Sequence, residues 1–508
     1  MFWIGRYSHR LAALWLGMAS LTFYSVWDSG FLLLLLTSIC FNYGAGHLIG
    51  HRVSSKKLGL AKSTLIFAIT ANLLLLGYFK YMNFFIDSTN VFFGMQISAL
   101  DIILPLGISF FTFTQIAYLV DVYRGIAREY NFIHYLLFVT YFPHLIAGPI
   151  LHHKQMMPQF GHSNTYRINV DNVAVGLSIF ILGLAKKLLI ADNLALYATP
   201  IFTAADAGST IMFFEAWVGA LAYTLQLYFD FSAYCDMAIG LSLMLNIRLP
   251  MNFNSPYKAT SIIDFWRRWH MTLSAFLRDY LYFPLGGNRK GPARRYINLI
   301  ATMLLGGLWH GAGWTFVIWG GLHGLYLMVN HGWRELKDRL GWSDGGRIAK
   351  LGAVFLTFLA VIVAWVFFRA ETFSGAWTLL AGMAGMKGIS LPSSFESKLE
   401  FLSLGSQIIL YEGFSPITNV SIKKSAAFIM LGLAMVWLLP NMREMFSHYK
   451  STWEDVSGKL AESQTSRLTR IMIWKKTLIT ASFLGALFSV ILIYMVAGNP
   501  SEFLYFQF

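Results

Sequence analysis

Two histidines in this 508-residue sequence could carry out proton transfer. His310 lies in "LLGGLWHGAGWTF" (304–316), and His270 lies in "WRRWH", forty residues earlier. An ionisable side chain is costly inside a membrane, so it marks a functional site by default. Histidine, with an unperturbed pKa of about 6.5, is suited to acid–base chemistry at neutral pH. In a dry cavity reached from the cytoplasm, one histidine could deprotonate an acceptor hydroxyl that attacks a thioester. A second histidine, or the ring N–H of Trp309, could steady the oxyanion or orient the base.

Each histidine also has a purely structural interpretation. His310 could be a buried imidazole hydrogen-bonded between helices, but its position at a glycine-flanked bend favours a functional role. The sequence leaves open whether His270 lies on the surface or points inward among aromatic residues. His323, in "WGGLHG", lies among glycines that permit close helix packing, so an interhelical hydrogen bond explains it as well as catalysis does.

The composition indicates a chain embedded in a lipid bilayer. It is 56% hydrophobic and 13% charged, whereas soluble globular proteins contain about 25% charged residues. Apolar stretches close to the roughly 20 residues that span a bilayer predict an all-α, polytopic transmembrane helical bundle of about 11–12 membrane segments, some re-entrant. These stretches are 11–27, 31–50, 63–85, 102–120, 173–191, 211–229, 351–368, 426–440 and 477–497.

The net charge of +14 does not predict nucleic-acid binding. Lysine and arginine concentrate in the cytoplasmic loops of membrane proteins, and no basic patch is interleaved with exposed aromatic residues in a soluble domain. We therefore expect no nucleic-acid partner. Cys40 and Cys235 lie far apart in apolar sequence and indicate neither a disulfide framework nor a metal centre.

The charges of the connections predict the topology. The connection 51–62 carries four cations and no acid, so it is expected in the cytoplasm, whereas 86–101 carries two acids and no cation and should face outward. The basic stretch 286–295 is again cytoplasmic, which makes 296–330 a helical hairpin bent at 309–313, near mid-membrane. Non-helical backbone at that depth is tolerated only inside protein or beside a wet cavity. The same rule places Arg124, Arg128 and 441–476 in the cytoplasm, and 386–424 and the tail from 498 outside.

The segment that contains His270 is predicted to form one amphipathic helix at the cytoplasmic interface. Ser261 is a candidate N-cap, Asp264 suits the positive end of the helix dipole, and Pro284 ends the helix. The arginines would snorkel to water and the tryptophans would anchor the helix at the interface. The apolar stripe comprises Phe265, Trp266, Trp269, Leu273, Phe276 and Leu277.

Two other polar groups carry weaker functional signals. The stretch 142–160 contains helix-breaking prolines and is predicted to be bent or re-entrant. Its histidines could suggest a metal, but adjacent histidines on a helix point about 100° apart and no carboxylate joins them, so no metal site is predicted. Asp230 and Asp236 interrupt an apolar helix pair and should face a cavity or be paired; orienting a catalytic histidine and capping a helix explain them equally well. The histidines are His144, His152 and His153.

These residues resemble the membrane-bound O-acyltransferase family, and within it the bacterial branch of alginate O-acetylation proteins. The central match is "NFNSPYKATSIIDFWRRWHMTLSAFLRDYLYFPLGGNRKG" (252–291) followed by "TMLLGGLWHGAGWTF" (302–316). The resemblance covers most of the chain, although Ala233, Cys235 and His144 depart from the usual residues of the branch. Further matching segments are "FPHLIAGPI", "YFDFSAYCDMAIG", "WGGLHG", "VAWVFFRAETF" and "LYFQF".

The resemblance implies a helical bundle around a central tunnel through a thinned membrane. It implies one domain over 1–508, with N-terminal helices (1–129), a catalytic core (130–370) and C-terminal helices (371–508). Catalysis would fall to the histidine of the WHG motif, with a second polar residue about forty positions upstream assisting it. The catalytic pair is then His310 and His270, and the supporting or tunnel-lining residues are Trp309, His323, Asp230, Asp236, Trp269 and Arg268.

The resemblance also implies a reaction and a setting. An O-acetyltransferase of this kind has no permanently bound cofactor and takes acetyl groups from a cytoplasmic thioester, acetyl-CoA. It passes them across the bacterial inner membrane for O-acetylation of an exopolysaccharide such as alginate or cellulose. Four cations could attract the phosphates of acetyl-CoA, although the positive-inside rule explains them equally well. They are Arg289, Lys290, Arg294 and Arg295.

The expected partners follow from the same resemblance, because this chain has no soluble domain large enough to modify a polymer. They are a periplasmic SGNH-type acetyltransferase and a polysaccharide synthase complex. Peptidoglycan O-acetylation and teichoic-acid D-alanylation are alternatives within the family. A transporter or flippase is the alternative of another class, but no internal repeat supports it.

Overall fold

The computed structural model is described for residues 1–27, 29–127, 131–145, 148–342, 345–393, 408–411, 420–453, 467–498 and 504. Each apolar stretch predicted from the sequence overlaps a helix, so the all-α prediction is confirmed. Five helices are long and apolar enough to cross a membrane, namely Leu32–Ser54, Leu58–Phe93, Val170–Asp206, Arg347–Arg369 and Leu478–Ala497. The chain is a multi-pass membrane protein. The predicted cytoplasmic or outward side of every connection remains a prediction, and Arg128, most of 386–424 and most of the tail from 498 lie outside the described residues.

Within the described residues eight α-helices precede residue 162, and most of them contribute to one hydrophobic cluster that includes Leu35, Leu65 and Tyr118. They are α1 (Phe2–Gly5), α2 (His9–Trp27), α3 (Leu32–Ser54), α4 (Leu58–Leu76), α5 (Met82–Phe93), α6 (Ile108–Tyr123), α7 (Phe132–Thr140) and α8 (His153–Gly161). The polypeptide bends between α7 and α8, and Pro158 lies inside α8. The bent segment predicted at 142–160 is therefore confirmed.

The central helices include α11, most of whose residues are buried and which packs on several of the others. They are α9 (Val170–Ala185), α10 (Asp192–Asp206), α11 (Phe213–Met244), α12 (Ile262–Trp266), α13 (Met271–Phe276), α14 (Gly291–His310), α15 (Trp314–Arg339), α16 (Arg347–Arg369) and α17 (Phe373–Met383). Beyond them the described residues form two short parallel strands and four helices. These are β1 (Ile389–Pro392), β2 (Ile408–Tyr411), α18 (Ile422–Leu438), α19 (Met442–Met445), α20 (Arg467–Met472) and α21 (Leu478–Ala497).

In the part of the chain that the structure describes, a π-helical turn occurs at three places. Gly77–Tyr81 joins α4 to α5, Lys186–Ala191 joins α9 to α10, and Leu277–Tyr282 follows α13. Such turns are rare and occur often at functional sites. Each one here carries a polar side chain that reaches a distant helix, and these side chains are Lys80, Lys187 and Tyr280.

The predicted hairpin is present. α14 ends at His310, residues 311–313 are not helical, and α15 begins at Trp314. The two helices approach closely because Gly320 has no side chain. A Cβ atom at this position would collide with the carbonyl of Met303. The break lies within the predicted bend at 309–313. Gly311 and Gly313 have an extended backbone, and His310 therefore lies at the apex, where the first helix ends.

The prediction of one amphipathic helix around His270 is wrong. Ser261 does cap a helix, since its side chain accepts a hydrogen bond from the backbone N–H of Asp264. That helix ends at Trp266, however, and His270 adopts a left-handed backbone with φ 43° before a second helix starts at Met271. The stripe is also buried in protein rather than placed at the interface, as Phe265 at 1% and Trp269 at 3% exposure show.

Candidate active site

His310 is held at the apex of the hairpin by aromatic rings. It is 6% exposed, and its ring centroid lies 5.0 Å from that of Trp319 and 5.2 Å from that of Phe368. Gly311 lets the backbone pass the ring of Phe316, because a Cβ atom at this position would collide with that ring. The imidazole therefore lies among aromatic rings, namely those of Trp309, Trp319 and Phe368, and this set of rings is called the chamber.

His270 faces the same chamber from the broken helix. Its ring centroid lies 6.3 Å from that of His310, and its side chain is 0% exposed. The left-handed backbone of a residue other than glycine costs of order 1 kcal/mol or more and persists only where surrounding contacts impose it. The structure therefore brings together the two histidines that the sequence singled out, although no sequence spacing could establish that contact.

Asn252 imposes that conformation, and sequence analysis did not identify it. Its Oδ1 atom accepts the backbone N–H of Thr272 at 3.2 Å and the hydroxyl of Thr272 at 2.9 Å. The backbone N–H can only donate, so this atom is the amide oxygen. The Nδ1 atom of His270, 3.1 Å away, must then donate to it. In the neutral imidazole this leaves the lone pair on Nε2, the atom able to accept a proton or a hydrogen bond.

Lys80 anchors the apex from the π-helical turn, and it too was missed. Its Nζ atom donates to the carbonyls of Trp309 at 2.6 Å and of His310 at 3.2 Å, and to the hydroxyl of Ser109 at 3.3 Å. Tyr81 donates to the carbonyl of Leu308 at 2.9 Å. A helix C-terminus leaves its last carbonyls without partners and carries partial negative charge, so a cation is favourable there. The signal was present, because Lys80 is a cation within the apolar stretch 63–85.

Trp309 closes the chamber on the side of α6. It is 3% exposed, and it packs on Phe110 at 5.5 Å and on Phe113 at 5.4 Å between ring centroids. Its ring centroid is also 6.2 Å from that of His270. Among the described residues its buried Nε1–H makes no hydrogen bond.

Three of the proposed supporting residues lie outside this chamber. His323 accepts a hydrogen bond from the indole N–H of Trp266 at 3.3 Å and is separated from His310 by Trp319, whose ring contacts both. Trp269 packs on Trp365 with centroids 5.0 Å apart. Arg268 pairs with Asp264 at 2.9 Å and donates to the carbonyl of Asn254. These contacts fit a structural role for each of the three.

Asp230 and Asp236 pair with lysines of the second π-helical turn. Of the two predicted alternatives, a cavity-facing carboxylate or a paired one, the structure shows the paired one. Lys187 lies 2.7 Å from Asp230, and Lys186 lies 2.5 Å from Asp236. Asp230 also accepts the backbone N–H of Leu504, so it binds the end of the chain. Within the described part of the chain these contacts do not match either specific role considered, which was to orient a catalytic histidine or to cap a helix.

The basic cluster lies where α14 begins. Arg289, Lys290 and Arg294 are exposed, and Arg295 lies over the ring of Tyr296 at 4.7 Å. An open cleft of about 780 Å³ runs between the start of α14 and the end of α15. It is lined by Asn288, Gly291, Pro292, Arg295, His331, Arg334, Glu335, Asp338 and Arg339.

The histidines of the bent segment make more polar contacts than the sequence analysis predicted. His144 is buried and its Nε2 atom lies 3.3 Å from the carbonyl of Phe138. His152 is the N-cap of α8 rather than a helical residue, and its ring lies against that of His153 at 4.3 Å. Burial lowers the pKa of His153 to about 4. The argument that no carboxylate joins these residues is wrong, because Asp121 contacts both His152 and His153.

Comparison with known families identifies the class of protein to which this helical bundle and its two neighbouring histidines belong. Residues 21–370 match the MBOAT, membrane-bound O-acyltransferase family, and the chain belongs to that family. It is therefore an acyltransferase rather than the transporter or flippase of the alternative interpretation.

Individual members of the family differ in how similar they are to this chain. The chain is 41% identical over 520 residues to a peptidoglycan O-acetyltransferase of Helicobacter pylori, covering 97% of this chain and 91% of the relative. It is 44% identical over 407 residues to a probable alginate O-acetylase AlgI of Pseudomonas aeruginosa, covering 79% of this chain and 75% of the relative. A teichoic acid D-alanyltransferase of Bacillus subtilis is 26% identical over 279 residues, covering 53% of this chain and 69% of the relative.

Proposed function

We propose that this membrane O-acyltransferase takes acetyl groups from a cytoplasmic thioester donor, acetyl-CoA, and delivers them across the bacterial inner membrane for O-acetylation of an exopolysaccharide such as alginate or cellulose. The observation that carries the proposal is the meeting of His310 and His270, whose ring centroids lie 6.3 Å apart in a chamber lined by aromatic rings. The relatives with O-acetylase names support acetyl as the group transferred.

His310 acts as the general base in this proposal. It removes the proton of the acceptor hydroxyl, whose oxygen attacks the thioester carbonyl. The carbonyl oxygen becomes an oxyanion, and donors already aimed at it lower the barrier. The buried Nε1–H of Trp309 is one such donor. The carbon–sulfur bond then breaks, the thiol takes up the proton, and the acceptor carries the acetyl ester.

His270 assists from the opposite wall of the chamber. Asn252 takes the Nδ1 proton as a hydrogen bond and so keeps the Nε2 lone pair directed away from its own anchor. That arrangement suits a group that accepts the hydrogen bond of the acceptor hydroxyl and turns it toward His310. Positioning of this kind can supply a large part of a rate enhancement.

The donor would approach from the cytoplasmic side. The exposed cations at the start of α14, together with those in the adjacent cleft, can attract the phosphates of acetyl-CoA. Two acids, Glu335 and Asp338, line the same cleft, and they would oppose an anion placed at the α15 side. We therefore assign the phosphates to the α14 side, near Arg289, Lys290, Arg294 and Arg295.

The acceptor side needs further proteins. We propose that the acetyl group passes to a periplasmic SGNH-type acetyltransferase that works beside a polysaccharide synthase complex. Peptidoglycan is the second candidate polymer, because the H. pylori peptidoglycan O-acetyltransferase aligns with 97% of this chain. D-alanylation has weaker support, since that relative aligns with about half of the chain at 26% identity.

The experiment that tests the proposal compares wild type with His310→Gln and His162→Gln in cells that produce the polymer. His162 is an exposed histidine outside the chamber, so it is a matched control. We expect His310→Gln to lower ester-linked acetate on the polymer at least about 100-fold, since general bases contribute about 10²–10⁴-fold. His162→Gln should remain near wild type. Unchanged acetate with His310→Gln at equal membrane level would remove His310 from the mechanism.

A companion measurement tests the identity of the acyl donor and of the polymer independently of the role of His310. Purified wild-type protein, supplied with its periplasmic partner, should release free thiol from acetyl-CoA, and His310→Gln should not. Thiol release without acetate on the exopolysaccharide would direct the assignment to peptidoglycan. The absence of thiol release from any acyl-CoA would contradict acetyl-CoA as the donor.

A further inference from the structure

A cluster of polar side chains outside the active site joins three separate elements. Asp121 lies near the end of α6, His152 and His153 lie at the start of α8, and Tyr280 belongs to the third π-helical turn. Asp121 is 2% exposed and His153 is 6% exposed. The acyl-transfer mechanism proposed above uses none of these groups.

Three groups converge on one carboxylate oxygen. The Oδ2 atom of Asp121 lies 2.6 Å from the hydroxyl of Tyr280, 2.9 Å from the Nε2 atom of His152 and 3.4 Å from the Nδ1 atom of His153. Three neighbours share an oxygen that offers about two lone-pair positions, as also occurs at the Oδ1 atom of Asn252. Neither ring nitrogen of the buried His153 makes a well-formed hydrogen bond among the described residues, and the backbone of Ile126 is a further polar neighbour of this ring. A buried imidazole in that state normally has another partner.

We propose that Asp121, His152 and His153 bind a divalent transition-metal ion of the Zn²⁺ type. Two imidazoles and one carboxylate form a donor set that suits zinc, which leaves a fourth position for water or another oxygen. The ligand atoms of the three residues all lie within 4.8 Å of one another. Ligands about 2.0–2.1 Å from a tetrahedral ion lie roughly 3.3 Å apart, and the contacts at 2.9 and 3.4 Å fall on either side of that separation.

The neighbouring groups affect how the three residues could bind an ion. The hydroxyl of Tyr280 lies 3.0 Å from the Nε2 atom of His152 and could complete the coordination or orient the carboxylate. The Nδ1 atom of His152 accepts the backbone N–H of Lys154 at 3.3 Å. Ligation through Nε2 places the ring proton on Nδ1, so this long hydrogen bond is exchanged for a metal–nitrogen bond. Arg124 lies 3.8 Å from the other carboxylate oxygen and is the nearest competing cation.

The ion would have a structural consequence. It would tie the end of α6 to the start of α8 and, through Tyr280, to the segment that carries His270. Unlike the catalytic histidines, these ligands are expected on the cytoplasmic side, where the basic connections lie. Because acyl transfer as proposed uses none of the three ligands, metal content and the rate of acyl transfer can be measured separately.

The test is the metal content of the full-length protein, purified in detergent without a histidine tag and dialysed against Zn²⁺ and then metal-free buffer. We expect about one zinc per chain in wild type and in the control His162→Gln. Asp121→Asn and His153→Gln should retain less than about a fifth of that amount. Zinc retained equally by the Asp121→Asn variant would show an adventitious ion only.

A second measurement protects the test against variants that do not fold. Wild type stripped with a chelator and reloaded with Co²⁺ should show visible absorption of a low-coordinate Co²⁺ site, and zinc should displace it with one equivalent. Removal of the metal should also lower the melting temperature, because an ion that binds only the folded state stabilises it. Wild type that binds neither zinc nor cobalt after dialysis would overturn the proposal whatever the variants do.

Discussion

The contact between Lys80 and the hairpin apex leads to the sharpest prediction about catalysis. Lys80→Met keeps a chain of similar length but removes the donor to the carbonyls of Trp309 and His310. A hydrogen bond to a charged group contributes about 1.5–3 kcal/mol. Two bonds at the low end contribute about 3 kcal/mol, which corresponds to roughly 100-fold in rate if the whole cost falls on the reactive geometry.

The assay is the initial rate of acetyl transfer in membranes that contain equal amounts of each variant. We expect Lys80→Met to lower the rate about 100-fold, and Lys80→Arg to recover part of it because a guanidinium can still donate to the carbonyls. Lys62→Met is the matched control, since Lys62 lies on the preceding helix with an exposed side chain. It should stay within about twofold of wild type, as surface substitutions usually cost less than about 0.5 kcal/mol.

Two results would refute this reasoning. A Lys80→Met rate within threefold of wild type would mean that the apex keeps its geometry without the ammonium. Equal losses in Lys80→Met and Lys80→Arg, with both proteins present and monodisperse, would mean that the apex needs the lysine for something other than donation to the two carbonyls.

Two further substitutions test the supports of the site and of the bundle. Asn252→Ala removes the acceptor of the His270 Nδ1 proton and should lower the transfer rate about 10–100-fold, measured at equal membrane level; a rate within twofold would show that His270 needs no such anchor. Lys187→Met leaves two carboxylates, Asp230 and Asp192, without the cation that lies 2.7 and 2.8 Å from them, and breaking a buried pair costs about 3–5 kcal/mol. The melting temperature in detergent should therefore fall, and Lys187→Met/Asp230→Asn should recover part of the loss; no recovery would show that the pairing is not the cause.

The hairpin could be predicted from the sequence because its signals are local. Glycines at 311 and 313 interrupt two apolar runs, and the basic loops on either side predict that both helices start and end on the same side of the membrane. The Ser261 cap was predictable for the same reason, since the capping side chain and its partner lie three residues apart. Signals of this kind are contained within a few residues of the feature that they specify.

The break at His270 could not be predicted in this way. No glycine or proline marks it, and the left-handed backbone is stabilised by Asn252, which lies eighteen residues earlier in an irregular segment. Periodicity therefore favoured a continuous helix. Tertiary contacts overrode it, and the aromatic stripe became part of the core.

The long-range polar contacts were beyond the reach of sequence spacing as well. Lys80 meets His310 across 230 positions, and Asp121 meets Tyr280 across 159. Each residue could be recognised alone as a polar group in apolar surroundings, but its partner could not. The lysine partners of Asp230 and Asp236 were missed for the same reason.

The π-helical turn at Gly77–Tyr81 makes the number of residues in one helical turn part of the arrangement proposed for catalysis. A π-helical turn contains about one residue more than an α-helical turn, so deletion of one residue there would let the helix close with regular α-helical bonds. The flanking helices would keep their register, because the π-helical turn is what accommodates the extra residue, but the side chains within the turn would be redistributed. Lys80 or the Tyr81 hydroxyl would leave the apex although neither residue had been substituted. Insertions and deletions at this turn should therefore be selected against as strongly as changes of the histidines themselves, and a family alignment that closes a gap here would pair residues on different faces of the helix.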